Sequence, residues 1–572
     1  EILESMKNKI IHRGPDSDGS HLDDGIAMGF RRLSFVDLEG GSQPIYNETR
    51  DMVITFNGEI YNHRELREEL EAKGHVMGSR ADTEVLIHGY EEWGDELLQK
   101  LRGMFAFVIW DKKNKSIFGA RDFFGIKPFY YTIANGNLIY ASEIKAILAH
   151  PDVKKEVNPI ALENYLTFQY SVLEETFFKG IFKLMPAHCF TFKDGKMDIK
   201  RYWEPVFEAD HSKSLEEYVD EIDAAMQDSI KAHKVADVEV GSFLSSGVDS
   251  SYVAACFHGD KTFTVGFDYE KYNEIDYAKA LSEKIKIDNY SKLISKKEYW
   301  DSIPTVQYHM DEPLADASAI ALYFVTKTAS EQVKTCMSGE GADELFGGYP
   351  WYHREEILFE DTFPWSRSGG LRLGLLTPDA VRNGEEFVRQ HYRDTCDRAP
   401  KLSSDDKKAA RMREMFVLNL DWFMATLLDR KDRMSMYSGL EVRVPFCDYR
   451  IAEYLYSVPW EFKDYHGQEK GLLREAMRGV LPDEVLWRRK SPYPKTWNPS
   501  YLAAVSAELR AVLSDPAAPL LRIIRADALE TLLASGADNL IPWYGQLMTT
   551  PQTIAWFLQL NYWLAKYKVE LV

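Results

Sequence analysis

The sequence predicts an α+β domain followed by a doubly wound, parallel-sheet α/β domain with a helical C-terminal part. Three observations predict this order: β-rich runs dominate residues 52–142, strand-like and helix-like runs alternate over residues 238–338, and helical spacing prevails from Trp351 onward. Antiparallel strands with segregated helices are typical of α+β folds, whereas regular alternation favours a parallel sheet. The 572 residues are enough for two large domains.

The first part contains strand-like runs that are rich in aromatic and β-branched residues, at 52–56, 104–111, 116–122, 129–133 and 138–142. Two segments between them, 64–73 and 83–101, have apolar residues at helical spacing. The pairs Lys113-Asn114 and Asn135-Gly136 have the residue types of hairpin turns. These features predict antiparallel strands interrupted by two helices.

The second part alternates more regularly. Strands are predicted at 238–244, 262–267 and 333–338, with helices at 250–257 and 273–287. Between the two parts, residues 208–217 are polar and lack apolar periodicity. We therefore expect domains at residues 1–205 and 218–572, joined by a linker at 206–217.

Composition excludes several classes of function. The 69 Lys and Arg against 89 Asp and Glu give a net charge of −20, which disfavours a nucleic-acid-binding surface. The longest apolar runs, such as 104–110, are far shorter than the ~18 to 20 residues that span a bilayer. The N-terminus lacks a secretory signal, and the five cysteines show no CxxC pair, so we expect neither a disulfide framework nor a structural zinc site. A cytoplasmic protein without a membrane span is expected.

A loop with several hydroxyl groups, LSSGVDSS at residues 244–251, lies between a predicted strand and a predicted helix. Backbone N–H groups and the helix dipole attract an anion at such a place. No GxxxxGK[ST] motif occurs, so the loop is not a P-loop of the kinase or GTPase type. Asp249 could hold a phosphate-bound Mg²⁺ ion. The alternative is that the hydroxyls only cap the helix.

A second loop, SGEGADELFGGY at residues 338–349, follows another predicted strand and contains three acids and four glycines. In a doubly wound sheet the carboxyl ends of the strands line the ligand crevice. The alternative is a solvated acidic turn.

These two loops resemble those of the synthetase domain of glutamine-hydrolysing asparagine synthetases, which are pyrophosphate-loop adenylating enzymes. Further similar stretches lie at 311–324, 427–448, 471–476 and 487–496. The first domain resembles an N-terminal-nucleophile glutaminase, an αββα sandwich, at 12–19, 31–37, 56–62, 81–86, 101–111 and 121–131. The resemblance covers essentially the whole chain in order.

The resemblance implies ATP-dependent amidation of L-aspartate through a β-aspartyl-adenylate, with ATP and Mg²⁺ as cofactors. Ammonia from glutamine hydrolysis would yield L-asparagine, AMP, pyrophosphate and glutamate. It implies a nucleotide pocket of the residues Leu244, Ser245, Ser246, Gly247, Asp249, Ser250, Val265, Ser338 and Gly339. Asp249 and Asp343 would be the Mg²⁺ ligands, and Asp343 would also contact substrate.

Two further residues have implied roles in the synthetase reaction. Glu340 would be either the base that takes a proton from ammonia or the clamp on the α-amino group of the substrate. Lys490 would face the phosphates and the developing negative charge. The alternative for Lys490 is a surface lysine in the basic run 488–490.

In the first domain the resemblance implies a glutamine site. Arg32 would bind the glutamine carboxylate, Asp82 would bind the α-amino group, and the Asn57 side chain with the Gly58 N–H would form the oxyanion hole. Further contacts would come from the neighbouring residues Leu33, Phe35, Val36 and Glu59. The alternative for Asn57-Gly58 is a type I′ turn.

One departure concerns the nucleophile. In the family it is an N-terminal Cys whose own α-amine acts as base, but this sequence begins with Glu1 and has no cysteine before Cys189. Either the first residues are absent from the sequence or glutaminase activity is lost. Retention of Arg32, Asn57 and Asp82 favours the first explanation.

Three functions compete. Asparagine synthesis is preferred, and the same chemistry on another carboxylate is the alternative, including amidation of the diaminopimelate of peptidoglycan precursors or ring closure by an amide synthetase. A non-catalytic homologue that acts as a binding or scaffold protein is disfavoured because the implied Mg²⁺ ligands are present. The expected partners are small-molecule substrates, and the family resemblance also implies a homodimer.

Overall fold

The computed structural model describes residues 1–35, 37, 40–168, 172–205, 211–245, 247–259, 261–268, 273–313, 318–366, 370, 373–488, 499–535 and 550–569. Three of the predicted site residues, Val36, Ser246 and Lys490, lie outside this set. Within it, we find no helix whose length and apolar character would let it cross a bilayer.

The first domain is built on antiparallel strands in two layers. Among the described residues, six strands pair in the order β11-β10-β6-β5-β4-β3, while β1 pairs with β2 and β7 lies between β8 and β9. The strands are β1 Ser17–Asp23, β2 Ile26–Arg32, β3 Ile45–Tyr46, β4 Met52–Ile60, β5 Gly103–Asp111, β6 Ser116–Arg121, β7 Tyr130–Ala134, β8 Asn137–Ala141, β9 Phe182–Lys183, β10 His188–Lys193 and β11 Lys196–Arg201. The five strand-like runs predicted from the sequence are confirmed.

Helices cover both outer faces of these layers. They are α1 Ile2–Lys9, α2 His63–Ala72, α3 Thr83–Trp93, α4 Ile144–Ile147 and α5 Pro159–Phe168. Side chains alternate along β4, so that Ile54 packs with the α2 and α3 side while Val53 packs with Tyr131 of the second strand layer. Helices α1 and α4 pack on β2 and β8. The arrangement is the predicted αββα sandwich.

The second domain contains a parallel sheet of five described strands in the order β14-β13-β12-β15-β16. They are β12 Val240–Phe243, β13 Lys261–Phe267, β14 Asp288–Ile294, β15 Thr335–Met337 and β16 Glu441–Arg443. Helix α6 Leu215–His233 precedes β12, and the helices between β12 and β15 are α7 Val248–Phe257, α8 Ile275–Ile285, α9 Lys296–His309 and α10 Ser318–Ser330. The doubly wound prediction is confirmed.

The rest of the chain is mostly helical, as predicted. The α-helices are α11 Ala342–Phe346, α12 Glu355–Leu358, α13 Gly384–Arg398, α14 Lys407–Leu418, α15 Ala425–Tyr437, α16 Tyr449–Ser457, α17 Trp460–Lys463, α18 Gly471–Ala476, α19 Asp483–Leu486, α20 Pro499–Ser514, α21 Ala526–Ser535 and α22 Thr550–Tyr567. A π-helical turn, Asn419–Met424, joins α14 to α15.

Two boundaries differ from the sequence prediction. Residues 215–217, placed in the linker, form the first turn of α6, because Ser214 and Glu217 make a reciprocal capping box; residues 206–210 lie outside the described set. The helix predicted over 83–101 ends as an α-helix at Trp93, because Gly94 has a φ of +60°, and it continues as the 3₁₀ segment Gly94–Gln99.

Buried ion pairs join the two domains. Arg443 of β16 donates to Glu59 of β4 at 3.2 Å, and Arg13 donates to Asp432 of α15 at 2.7 Å. The glutaminase-like domain is therefore held against the β16 edge of the parallel sheet.

Candidate active sites

A cavity of about 590 Å³ opens in the first domain beside the central strands of its sheet. Its lining includes the predicted glutamine-site residues Arg32, Leu33, Phe35, Asn57, Gly58 and Asp82. Met436 and Glu441 of the second domain also contribute to the lining. The structure thus brings together residues that are distant in sequence, at a place that adjoins the domain interface.

Asn57 and Gly58 lie inside β4, opposite Ala106 and Phe105 of β5. The alternative of a type I′ turn is therefore wrong. Gly58 has a φ of +147°, and a Cβ there would lie 1.9 Å from the Met104 carbonyl oxygen, so the strand pairing requires glycine. The Asn57 Nδ2 group is buried and has no hydrogen-bond partner among the described residues. Its donor is available to an oxygen in the cavity.

Two buried carboxylates stand near this donor. Asp82 accepts a hydrogen bond from the Ile60 N–H at 2.9 Å, and its burial raises its pKa to about 7. Burial, and next the charge of Asp82, raise the pKa of Glu59 as well. Glu59 is not among the residues that line the cavity; one of its oxygens accepts from Arg443, while its Oε1 is buried without a hydrogen-bond partner in the described set. A cation placed here would relieve the cost of both buried charges.

Arg32 supplies the opposite charge. It ends β2, is 7% exposed, and donates from Nη2 to the Asp37 carbonyl at 2.6 Å. The cavity lining therefore combines the guanidinium of Arg32 with the carboxylate of Asp82, and this pair of charges suits the carboxylate and the ammonium of an amino acid.

In the second domain, serine hydroxyls of the loop after β12 form hydrogen bonds within the loop. The Ser245 Oγ lies 2.8 Å from the Ser250 Oγ and accepts from the Gly247 N–H at 3.0 Å. Leu244 and Val265 lie at or near the carboxyl ends of β12 and β13, as predicted for a nucleotide pocket. The N-terminus of α7 follows directly, so its unpaired N–H groups face the same loop.

The two predicted synthetase loops are in contact. A Cβ on Gly339 would lie 2.8 Å from the Ser250 backbone nitrogen, which only glycine allows. This approach follows from the pairing of β12 with β15, which places both strand ends side by side. Both loops therefore lie at the carboxyl ends of adjacent strands, where a doubly wound sheet has its ligand crevice.

Lys470 is a candidate site residue that the sequence analysis missed. Its Nζ donates to Asp249 Oδ1 and to Asp343 Oδ1, both at 2.8 Å, and the side chain is 4% exposed. The two predicted Mg²⁺ ligands therefore converge on one cation position. The only signal in the sequence was that Lys470 directly precedes the 471–476 segment used in the resemblance.

Glu340 is held by basic residues of α15. Its Oε2 accepts from the Ser338 hydroxyl at 2.5 Å and pairs with Lys431, and its Oε1 lies 3.9 Å from Arg430. Burial works to raise the pKa of Glu340, but Lys431 and then Arg430 outweigh it and lower the pKa. A carboxylate that stays charged in this way is a better clamp for an ammonium group than a proton acceptor.

Comparison with known proteins agrees with both halves of this description. Residues 1–203 match the family model of a glutamine amidotransferase domain, and residues 221–565 match that of asparagine synthase. The chain is 38% identical to asparagine synthetase [glutamine-hydrolyzing] 3 of Bacillus subtilis, over 100% of this chain and 97% of that protein. It is also 38% identical to asparagine synthetase [glutamine-hydrolyzing] 1 of the same organism, over 86% of this chain and 84% of that protein.

The fold and sites thus define a two-domain, amidotransferase-linked ligase. The chain belongs to the glutamine-hydrolysing asparagine synthetase family.

Proposed function

We propose that the protein makes L-asparagine from L-aspartate, ATP and glutamine-derived ammonia, through a β-aspartyl-adenylate, with release of AMP, pyrophosphate and glutamate. The observation that supports this most strongly is the convergence of Asp249 and Asp343 on Lys470 at the ends of two adjacent parallel strands. The strand-end crevice of a doubly wound sheet is where nucleotides bind.

The activation step needs phosphate charge to be neutralised. The backbone of the loop around Gly247, the Ser245 and Ser250 hydroxyls and the N-terminus of α7 offer hydrogen-bond donors to pyrophosphate. Asp249 and Asp343 fit a divalent cation, because both carboxylates already reach a single cationic nitrogen. Mg²⁺ bound there with ATP would neutralise the phosphates. Lys470 is then positioned to contact phosphate oxygen.

Glu340 is proposed to orient the acceptor. Because Lys431 and Arg430 keep its carboxylate charged, it can bind the α-ammonium of aspartate. This leaves the side-chain carboxylate of the substrate to attack the α-phosphate of ATP. The clamp role is thereby favoured over the base role that the sequence left open. Lys490, predicted at the phosphates, lies outside the described residues.

The cavity of the first domain is proposed to bind glutamine. Arg32 would pair with the carboxylate, Asp82 with the α-ammonium, and the Asn57 Nδ2 with the Gly58 N–H would bind the oxygen of the reacting amide. Glu59 does not line the cavity, so we assign it no contact with glutamine. The orphaned Asn57 donor supports this assignment, because a buried amide without a partner costs about 1–3 kcal/mol unless a ligand satisfies it.

The test is pyrophosphate release from ATP and Mg²⁺ with ammonium as nitrogen donor, so that glutamine hydrolysis is not needed. L-Aspartate is compared with diaminopimelate, and the amide product is identified by mass. Aspartate-dependent release with asparagine formed is the expected result. Release with diaminopimelate alone would overturn the substrate, and no release with either would overturn the proposal.

A further inference from the structure

A second cluster of potential ligands lies in the first domain, away from the glutamine cavity. Glu48 belongs to the turn between β3 and β4, His75 follows α2, and His88 and Glu91 lie on α3. One ligand atom from each of these four side chains lies within 4.8 Å of all the others. Neither histidine nor glutamate here contributes to the chemistry described above.

The four histidine–carboxylate separations in the cluster are close to those of a tetrahedral metal site. His88 Nδ1 lies 3.4 Å from Glu48 and 3.8 Å from Glu91, and His75 Nδ1 lies 3.6 Å from Glu48 and 3.8 Å from Glu91. Ligand atoms around a tetrahedral zinc ion with bonds of about 2.0–2.1 Å stand about 3.4 Å apart. These contacts are longer than good hydrogen bonds. They leave room for an ion among the four atoms.

His88 is oriented toward the centre of the cluster. It is 1% exposed, its Nδ1 is buried without a hydrogen-bond partner in the described structure, and its Nε2 lies 3.1 Å from Glu84. When Nε2 carries the proton, it donates a hydrogen bond to Glu84, and the lone pair of Nδ1 is directed at the cluster. A carboxylate on the far nitrogen is the usual support of a metal-bound histidine.

The other ligands have supports of the same kind. The Nε2 of His75 lies 3.3 Å from Glu92, so this histidine also has a carboxylate on the nitrogen that faces away from the cluster. Glu91 accepts from the Asn47 amide at 3.2 Å, and Glu48 accepts from the Val76 N–H at 2.9 Å. These bonds hold the four side chains in place from outside the cluster.

We propose that Glu48, His75, His88 and Glu91 form a structural zinc site. Two imidazoles with two carboxylates at tetrahedral spacing suit Zn²⁺ better than Mg²⁺ or Ca²⁺, which prefer six or more oxygen ligands. The ion would link three segments of the first domain. One of them is α3, whose N-cap residue is Asp82. The zinc site would therefore stabilise the helix that presents a glutamine-site carboxylate.

The experiment uses the full chain after treatment with a chelator. Zinc is added, and its stoichiometry and affinity are measured by calorimetry and by elemental analysis after dialysis. Co²⁺ is added separately, because its absorption spectrum reports tetrahedral coordination. We expect one zinc ion per chain, a tetrahedral Co²⁺ spectrum and a higher unfolding temperature with zinc.

Variants test the ligands individually. His75→Ala and Glu48→Gln alter side chains that reach solvent, so they avoid disturbing the buried His88. Each is expected to weaken zinc binding by about 100-fold or more, and Glu84→Gln by about 10- to 100-fold through loss of support for His88. The exposed His211→Ala is the matched control and should bind zinc as the unaltered chain does.

Two results would overturn the proposal. One is the absence of bound zinc in the unaltered, folded chain after dialysis. The other is equal zinc affinity in His75→Ala, Glu48→Gln and His211→Ala, which would place the metal elsewhere. Activity is not needed for either measurement, so this result is independent of the proposed function.

Discussion

The cavity of the first domain and the strand-end crevice of the second domain both have buried carboxylates in or beside them, but burial and neighbouring charges shift the pKa values of these groups in opposite directions. In the cavity, burial raises the pKa of Asp82 to about 7 and also raises that of Glu59. In the crevice, Lys431 and Arg430 overcome burial and lower the pKa of Glu340, and Lys470 pairs with Asp249. At the first site burial outweighs the nearby Arg443, whereas at the second site Lys431 and Arg430 outweigh burial.

This difference follows from the charges that each site is proposed to receive. A glutamine molecule brings its own ammonium, which can neutralise Asp82. ATP brings several negative charges, so the crevice needs lysines and a divalent cation before phosphate can approach the acidic residues. The charges of each site are therefore complementary to its proposed ligand.

The largest effect is expected from Lys470→Met. The change removes the cation shared by Asp249 and Asp343 and the proposed phosphate contact. Loss of one such electrostatic contact costs about 10²- to 10³-fold in kcat. Ammonium-dependent pyrophosphate release measures it, and the exposed Lys297→Met is the control. Retained activity in Lys470→Met would show that the crevice does not depend on this lysine.

A smaller effect is expected from Arg32→Ala in the cavity. A charged hydrogen-bonded pair contributes about 1.5–3 kcal/mol, so glutamine should bind about 10- to 100-fold more weakly. Calorimetry measures binding without requiring hydrolysis, and ammonium-dependent synthesis should be unchanged. Arg64→Ala is the control, because Arg64 is exposed on α2 and does not line the cavity. Equal weakening in both variants would contradict the assigned contact.

The smallest effect is a pH dependence of glutamine binding, which we expect from Asp82 of the first site. Asp82 must be deprotonated to bind an ammonium, and its pKa is about 7. Glutamine affinity should therefore be constant above pH 7 and fall as pH decreases below it, by up to about tenfold per pH unit. Calorimetry between pH 5.5 and about 8 checks this, with proton release detected by changing the buffer. Asp82→Asn should bind weakly and lose this dependence; if it keeps the dependence, another group titrates.

Sequence patterns accounted for much of the fold. Runs rich in aromatic and β-branched residues, together with hairpin-type turns, identified β5 to β8, and the alternation of strand-like and helix-like runs identified the parallel sheet. The patterns did not show that Asn57-Gly58 continues β4, because that dipeptide also suits a turn and only pairing with β5 excludes it. Nor did they show that a polar segment starts α6, because the capping box is a local exchange of hydrogen bonds that apolar periodicity does not report.

For the candidate sites, the sequence predicted the individual motifs but not the residues from distant segments that pair with them. Asp249 and Asp343 stood out in their loops, but Lys470 is 221 residues from Asp249 and is unremarkable in its own segment. The proposed zinc site was not predicted from the sequence for the same reason. Cysteine spacing gave no zinc motif, and His75 and His88 come together with Glu48 only after α2 and α3 pack on the sheet.

By itself, the sequence determined the order of the two domains, their strand and helix types and the loops that hold the candidate ligands. These are local properties, set by periodicity, turn residues and short motifs. Tertiary structure alone decided the ionisation of each carboxylate and the choice of its partner. Burial and the nearest opposite charge govern both, and each depends on segments that meet in space from distant parts of the chain.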